Sequence, residues 1–161
     1  MAYKGKYHPK NPHKYRGDFQ NIIHRSMWER QVMKYLDENP MVVSWSSEEL
    51  AIPYISPKDN MVHRYFPDMI VTVKQADGSL KTFLWEIKPH AETIEPKADP
   101  MVLKESGRSA KKRRYVRDVF KYAINRAKWN AAIQYCESQG WTFHLITEKH
   151  LKSLTASTNV S

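Results

Sequence analysis

The amino-acid sequence predicts an α/β domain, built on a small mixed β-sheet that is flanked by helices and preceded by a basic N-terminal arm. Three observations predict this class: apolar residues at helical spacing in 24–40, short apolar runs between turn residues in 42–88, and further helical stretches before one last run in 109–146. The order helix, β-meander, helices, strand and helix forms one domain. We expect the arm at residues 1–20, the domain at 21–154 and a flexible tail at 155–161.

The N-terminal segment is basic and contains no acid before Asp18. Its prolines and glycines interrupt any regular period, so we interpret it as an arm that touches phosphates or docks on a partner. The alternative is a disordered terminus. Its cations are Lys4, Lys6, Lys10, Lys14 and Arg16.

The first helix and the strands follow in order. HRSMWERQVMKYLDENP predicts a helix that ends at Asn39-Pro40. VVSWSS and LAIPYI predict short strands, and Pro53 puts the second at a sheet edge. Residues 62–73 and 80–88 predict two longer strands, joined by a turn at 75–79.

The second half is mostly helical. A Pro-containing loop is expected at 89–108, followed by two helices that break near Asn125-Arg126 and end at Gly140. WTFHLI predicts the last strand, and Thr147 would cap a short final helix. The apolar stripes of the first of these helices are interpreted as core: Tyr115, Val119 and Tyr122, with Val116, Phe120 and Ala123.

Composition narrows the function classes. Lys and Arg number 26 against 17 Asp and Glu, a net charge of +9 that favours a polyanionic partner, nucleic acid first. The single Cys136 excludes a disulfide framework and is interpreted as packing. No apolar run approaches the length of a membrane span, and five glycines form no phosphate-binding loop, so we expect no membrane partner and no nucleotide cofactor.

The most informative stretch is FPDMIVTVKQADGSLKTFLWEIK, which places carboxylates inside two strands. Glu86 and Lys88 share one strand face, while Trp85 and Ile87 share the other, which we expect to be the face buried under helices. An Ala76–Ser79 pair would put Asp68 opposite Ile87. A Gln75–Ser79 pair, with Gly78 left-handed in a bulge, would put Asp68 opposite Glu86. The Asp77-Gly78 dipeptide alone favours the first register. We predict the second register, because only it makes Asp68 and Glu86 neighbours as the chemistry requires.

Two neighbouring carboxylates repel each other unless a proton or a cation lies between them. Oxygen ligands suit Mg²⁺ or Mn²⁺, and Lys88 would reach the same space to hold a phosphate oxygen or orient a water. Together they predict a phosphodiester hydrolysis site. The alternative is that Asp68 caps its strand while Glu86 and Lys88 form an exposed ladder.

Two further sets of residues have a functional and a structural interpretation. Glu29 lies on an inward stripe of the first helix and could reach the metal, but Ser26 to Glu29 is also a capping box. The cations near the start of the second helix are interpreted as a DNA phosphate track, against a merely solvated face. The track comprises Lys111, Lys112, Arg113, Arg114 and Arg117.

These motifs resemble the PD-(D/E)XK nuclease superfamily: Pro67-Asp68, then Glu86-Ile87-Lys88, after a helix bearing Glu29. More narrowly, the chain resembles the head completion proteins of T4-like contractile-tailed bacteriophages, which are similar to the endonuclease subunit of heteromeric transposases. The matching stretches run almost to Leu154: MAYKGKYHPKNPHKYRGD, HRSMWER, IPYISP, FPD, WEIKP, KWNAA and ITEKHL.

The resemblance implies a single PD-(D/E)XK-type domain and a role for each matching residue. Asp68 and Glu86 would bind metal with the Ile87 carbonyl, Lys88 would serve the nucleophilic water, and Glu29 would be an auxiliary acid. It also implies a Mg²⁺-dependent DNA endonuclease that finishes DNA-filled heads before tail attachment, with head–tail connector or portal proteins as partners. Such a protein would act in the cytoplasm of the infected bacterium or in the head–tail region of the virion.

Two other functions remain open on the sequence. One is a non-catalytic protein that binds DNA or the portal at the head–tail connector. The other is a free cytosolic junction or repair endonuclease.

Overall fold

A four-stranded mixed sheet forms the centre of the computed structural model, which describes residues 3–158. Its strand order is β3-β6-β7-β8, with β7 and β8 parallel and the other neighbours antiparallel. The pairs β1-β2 and β4-β5 form two further antiparallel sheets. The bounds are β1 Gly5–Tyr7, β2 Ile22–His24, α1 Met27–Glu38, β3 Val42–Ser47, β4 Ile52–Ile55, β5 Val62–Tyr65, β6 Met69–Lys74, β7 Leu80–Ile87, α2 Pro100–Leu103, α3 Ala110–Gln139, β8 Thr142–Ile146 and α4 Glu148–Thr158.

Both faces of the central sheet are buried. On one face, Trp85 and Ile87 pack with α1 and with Leu151 of α4. On the other, Leu84 packs with Ala132 of α3 and with Ile52 of β4. The expectation that only the Trp85 and Ile87 face is buried was therefore wrong, and Glu86 on the second face is enclosed as well.

The predicted strand at 62–73 is two strands in two sheets. β5 ends at Tyr65 and pairs with β4, whereas β6 begins at Met69 and pairs with β3 and β7. Pro67 lacks the N–H that a continuous ladder would need, so the chain changes sheets here. The switch places Asp68 at the entry to the central sheet.

Helix α3 is continuous where the sequence predicted two helices. Asn125 is buried within it and Arg126 is exposed, and neither residue interrupts the helix. The predicted end is confirmed, because Gly140 takes a left-handed φ of 73° and its N–H donates to the carbonyls of Cys136 and Glu137.

The N-terminal half of α3 exposes the stripes that were expected to be core. Val116, Val119 and Phe120 are exposed, Phe120 by 51%. Tyr115 and Tyr122 are partly buried. The stripe fails as a core because no element of the described chain covers that side of α3.

The predicted N-terminal arm is part of the domain. β1 pairs with β2, and Tyr15 packs edge-on against Trp45 in the core. The fully buried Asp37 holds the segment, because its carboxylate accepts from the Tyr7 hydroxyl at 2.9 Å and from the N–H of Lys10 and of Asn11 at 2.7 and 2.9 Å. A free arm would leave this buried carboxylate without donors.

The C-terminal expectations need one correction. Helix α4 continues through Thr158, across the first residues of the predicted flexible tail, and residues 159–161 lie outside the described chain. Thr147 precedes α4 and its carbonyl accepts from the N–H of Leu151. Within residues 3–158 we find no helix with the length and apolarity to span a membrane.

Candidate active site

The β6–β7 hairpin has the register that makes Asp68 and Glu86 neighbours. Met69 pairs with Trp85, so the preceding residue, Asp68, lies level with Glu86. The N–H of Gln75 donates to the Ser79 carbonyl at 2.8 Å, and Gly78 takes the left-handed φ of 87° that a three-residue loop needs. The predicted bulge register is confirmed, and the Ala76–Ser79 alternative was wrong.

Both carboxylates are fixed by hydrogen bonds. Asp68 Oδ2 accepts from the Ile87 N–H at 2.7 Å. Glu86 is buried, and its Oε2 accepts from the Tyr65 hydroxyl. The alternative that Asp68 only caps its strand is therefore wrong, because its carboxylate bonds across the hairpin. Glu86 is buried, so it is not part of an exposed ladder.

The electrostatics of the pair favour a bound cation. Burial raises the pKa of the Asp68 carboxyl well above its usual range, and the charges of Glu86 and Glu29 raise it further. Burial also raises the pKa of Glu86, although the Tyr65 hydroxyl and the Lys88 ammonium oppose that rise. Two buried carboxylates that repel each other attract a proton or a metal ion.

The donor set fits an oxygen-preferring divalent metal. Asp68 and Glu86 supply carboxylate oxygens, and Ile87 follows directly with a backbone carbonyl. Among residues 3–158, no three His, Cys, Asp or Glu side chains are grouped as metal ligands. A metal would therefore be held by these two carboxylates, the Ile87 carbonyl and water, which suits Mg²⁺ better than zinc.

Lys88 lies beside the carboxylates at the end of β7. Its N–H donates to the Ile146 carbonyl at 2.9 Å, so strand β8 fixes its position. Its ammonium is close enough to lower the pKa of both Asp68 and Glu86. Within the described chain it forms no ion pair, and its side chain lines an open cleft. Within the described chain, the Lys88 side chain is therefore accessible from this cleft.

Glu29 makes a cap and also faces the site. Its N–H donates to Ser26 Oγ at 3.1 Å, and its own Oε2 accepts from the Arg25 N–H at 3.0 Å. Burial raises the pKa of Glu29, and its charge raises the pKa of Asp68. The capping interpretation therefore describes contacts of this residue, while its role as an auxiliary acid stays a prediction.

The predicted phosphate track divides into two parts. Lys112 turns back to the preceding loop, where its ammonium donates to the carbonyls of Leu103 and Glu105 at 3.1 Å each. The other four cations of the track are exposed: Lys111, Arg113, Arg114 and Arg117. Lys112 is therefore occupied by a structural contact, while the other four remain available to a polyanion.

Three contributors to the site were missed in the sequence. Tyr65 donates to Glu86 from the neighbouring sheet, which no spacing in one strand reveals. Lys128 lowers the pKa of Glu86, and it follows Arg117 and Lys121 on one face of α3, a signal available from helical spacing. Glu48 has a left-handed φ of 54°, and its N–H donates to the Asp68 carbonyl at 3.2 Å.

The chain is similar to known nucleases over most of its length. Residues 39–148 match the family described as TnsA-like endonuclease, N-terminal. The chain is 38% identical over 154 residues to the head completion nuclease of Enterobacteria phage T4, a match that covers 96% of this chain and 97% of that protein. Asp68, Glu86 and Lys88 all lie within the family match, whereas Glu29 precedes it.

Proposed function

The chain belongs to the TnsA-like endonuclease family and is related to a phage head completion nuclease, and we propose that it hydrolyses DNA phosphodiester bonds with Mg²⁺ or Mn²⁺. The nuclease resemblance read from the motifs is confirmed by this membership. The proposal adds the metal, the residues that hold it and the DNA substrate.

One observation carries the proposal: two carboxylates, Asp68 and Glu86, meet across a hairpin beside Lys88. Their mutual repulsion destabilises the fold, because a buried charge is costly unless a group of opposite charge binds it. A divalent cation held by the two carboxylates would offset this repulsion. We assign Asp68, Glu86 and the Ile87 carbonyl as the groups that hold it.

When bound, the metal supplies Lewis-acid stabilisation of the charge that develops on the phosphate and lowers the pKa of water. The protein's own groups do the remaining work. The Ile87 N–H orients the Asp68 carboxylate, and the Tyr65 hydroxyl donates to Glu86 and so opposes the rise in the pKa of that carboxyl. Lys88 contacts a phosphate oxygen or orients the attacking water.

Glu29 would act as an auxiliary acid at the same site. Burial raises the pKa of Glu29, which makes its carboxylate a better proton acceptor. Its charge acts on Asp68 from the first turn of α1, which the Ser26 cap holds in position. The cap and the catalytic role are compatible, because only one of its oxygens accepts from the Arg25 N–H.

We further propose that the nuclease acts on packaged DNA or at the head exit before tail attachment, in the infected cell or the virion. This place rests on the relationship to the head completion nuclease. Its protein partners would be components of the connector or portal.

A connector-binding protein without catalysis is the second candidate. It is favoured by the exposed apolar side chains of α2, with Met101 exposed by 74% and Leu103 by 44%. Phage that carry Asp68→Asn separate the candidates. Infectious particles at wild-type yield would favour the structural role, while non-infectious filled heads would favour hydrolysis.

The direct test of hydrolysis is nicking of supercoiled plasmid with Mg²⁺, Mn²⁺ or EDTA. We expect metal-dependent nicking that falls at least about 100-fold in Lys88→Ala, the loss usual for a transition-state contact. Lys81→Ala is the matched control, an exposed lysine of the same strand that contacts Phe83 instead. Equal nicking by Lys88→Ala and wild type would contradict the assignment.

A further inference from the structure

A cleft of about 660 Å³ opens beside Lys88, between α3 and the turn that joins β4 to β5. Its cations come from that turn, from the end of β7 and from α3, and no acidic residue lines it. Lys121 is paired with Glu92, but the other four form no ion pair within the described chain: Lys58, Lys88, Arg117 and Lys128. Such a cavity suits an anionic ligand.

The floor of the cleft is apolar. Val116, Phe120 and Ile124 are spaced by four residues on α3, so their side chains form one continuous stripe. Phe120 is half exposed, although it is a large aromatic residue. A sugar-phosphate backbone gains little from such a surface, whereas a nucleobase stacks on an aromatic ring.

The cleft also contains a buried amide without a partner. Asn125 lines it, only 6% exposed, and its Nδ2 has no hydrogen-bond partner within residues 3–158. An unsatisfied buried donor is costly, so a ligand that brings an acceptor is favoured. Nucleobase edges and phosphates both offer acceptor oxygens.

We propose that this cleft binds an unpaired nucleotide of the DNA substrate. The base lies on Phe120 with Asn125 at its edge, and the phosphate lies among Lys88, Arg117 and Lys128. In duplex DNA the bases are stacked inside and cannot reach an apolar floor. The enzyme therefore selects DNA with a single-stranded segment next to the bond it cuts. This inference rests on the proposed nuclease function.

Binding measured without cleavage tests the inference. A fluorescent 30-nucleotide oligo(dT) and a duplex of equal length are titrated in EDTA. We expect wild type to prefer the single strand, and Phe120→Ala to weaken that binding about 5- to 100-fold, the usual contribution of one stacked base. Duplex binding should change less than twofold.

Val119→Ala is the matched control, since Val119 is exposed on the same helix but does not line the cleft. It should leave both affinities unchanged. Asn125→Ala should weaken single-strand binding more than duplex binding, and its melting temperature is measured beside wild type because the change also removes a buried side chain. A 2-aminopurine base in the oligonucleotide should be quenched by wild type and not by Phe120→Ala.

Two results would overturn the inference: an equal effect of Phe120→Ala on single strand and duplex, or no effect on either. Because no metal is present, these results are independent of catalysis. Metal-dependent nicking with no single-strand preference would refute the inference alone. Single-strand preference without any metal-dependent cleavage would refute the proposed function and keep the cleft as a binding site.

Discussion

The Asp68 carboxylate and the Ile87 N–H are joined across the β6–β7 hairpin by a hydrogen bond of 2.7 Å. Ile87 lies between Glu86 and Lys88 in the sequence. The bond therefore connects the Asp68 carboxylate to the backbone next to both of these proposed site residues. In the proposed nuclease, this bond would orient the carboxylate before a metal or substrate binds, which is the preorganisation that electrostatic catalysis requires.

Replacing Asp68 by Asn should stabilise the metal-free protein at neutral pH. Asn keeps an acceptor for the Ile87 N–H and removes the charge that Glu86 repels. The pKa of Asp68 is raised in the folded state, so the folded protein binds the proton more tightly and wild type loses stability as the pH rises from the ordinary value of 3.8 through the raised pKa.

Thermal melts in EDTA from pH 4.5 to 8.5 measure this effect. The advantage of Asp68→Asn should grow with pH, and each kcal/mol would raise the melting temperature by about 2–4 °C. Mn²⁺ should stabilise wild type more than the variant. Asp77→Asn is the control with the opposite sign, because the Ser79 side chain lowers the pKa of Asp77. A melting temperature below wild type at pH 8 would refute the repulsion.

Tyr65→Phe should move the acid limb of the pH–rate profile to higher pH. The Tyr65 hydroxyl lowers the pKa of Glu86, so its loss makes the carboxylate harder to ionise. The variant should also lose about 1–3 kcal/mol of stability, because a buried acceptor is left without its donor. Nicking rates from pH 5 to 9 and urea denaturation measure the two effects, and an unshifted acid limb would count against this role.

Glu29→Gln and Ser26→Ala separate catalysis from capping. Gln retains an acceptor for the Arg25 N–H but removes the charge near Asp68, so we expect nicking to fall at least tenfold with little change in stability. Ser26→Ala removes the acceptor of the Glu29 N–H and should lose about 1 kcal/mol of stability with activity largely retained. Urea denaturation and nicking assays measure both effects. If Glu29→Gln lost stability but kept its nicking activity, Glu29 would be only a helix cap.

The phosphate track makes a prediction about salt. Arg113→Ala and Arg114→Ala should each reduce the slope of log affinity against log salt for duplex DNA by about one. Lys112→Ala should leave the slope unchanged and lower stability, because its ammonium is bound to the carbonyls of Leu103 and Glu105. Binding titrations at four salt concentrations measure these slopes. Unchanged slopes in all three variants would show that the track is only a solvated helix face.

Asp37→Ala should detach the N-terminal segment. Its carboxylate accepts from Tyr7, Lys10 and Asn11, so removal leaves several donors unpaired and should cost about 3 kcal/mol or more. Limited trypsin digestion should then cut after Lys10 or Lys14 much faster than in wild type. Unchanged protection would show that β1 pairing alone holds the segment.

The sequence correctly predicted those elements whose pattern lies within one short stretch of residues. The helix at 27–38 and the Gly140 end both depend on neighbouring residues. The loop sequence alone favoured the other hairpin register, and the register that pairs Asp68 with Glu86 was predicted because the carboxylate chemistry requires it.

Predictions failed where partners are distant in the sequence. The Asp37 carboxylate binds the basic N-terminal segment and makes it part of the domain. No pattern within residues 1–17 indicates this partner. Tyr65 enters the site from another sheet, because the chain changes sheets at Pro67. Phe120 lies at the helical spacing of a core residue, but no described element covers it.

The parallel pairing of β7 with β8 also has a consequence for timing during synthesis. The Lys88 N–H is held by the carbonyl of Ile146, a residue that leaves the ribosome only after the whole of α3. The hairpin that carries both carboxylates can form early, but its lysine stays unanchored until the last strand docks. Under the proposed function, a nascent or prematurely terminated chain would therefore lack the anchored lysine that cleavage of DNA in the host cell requires.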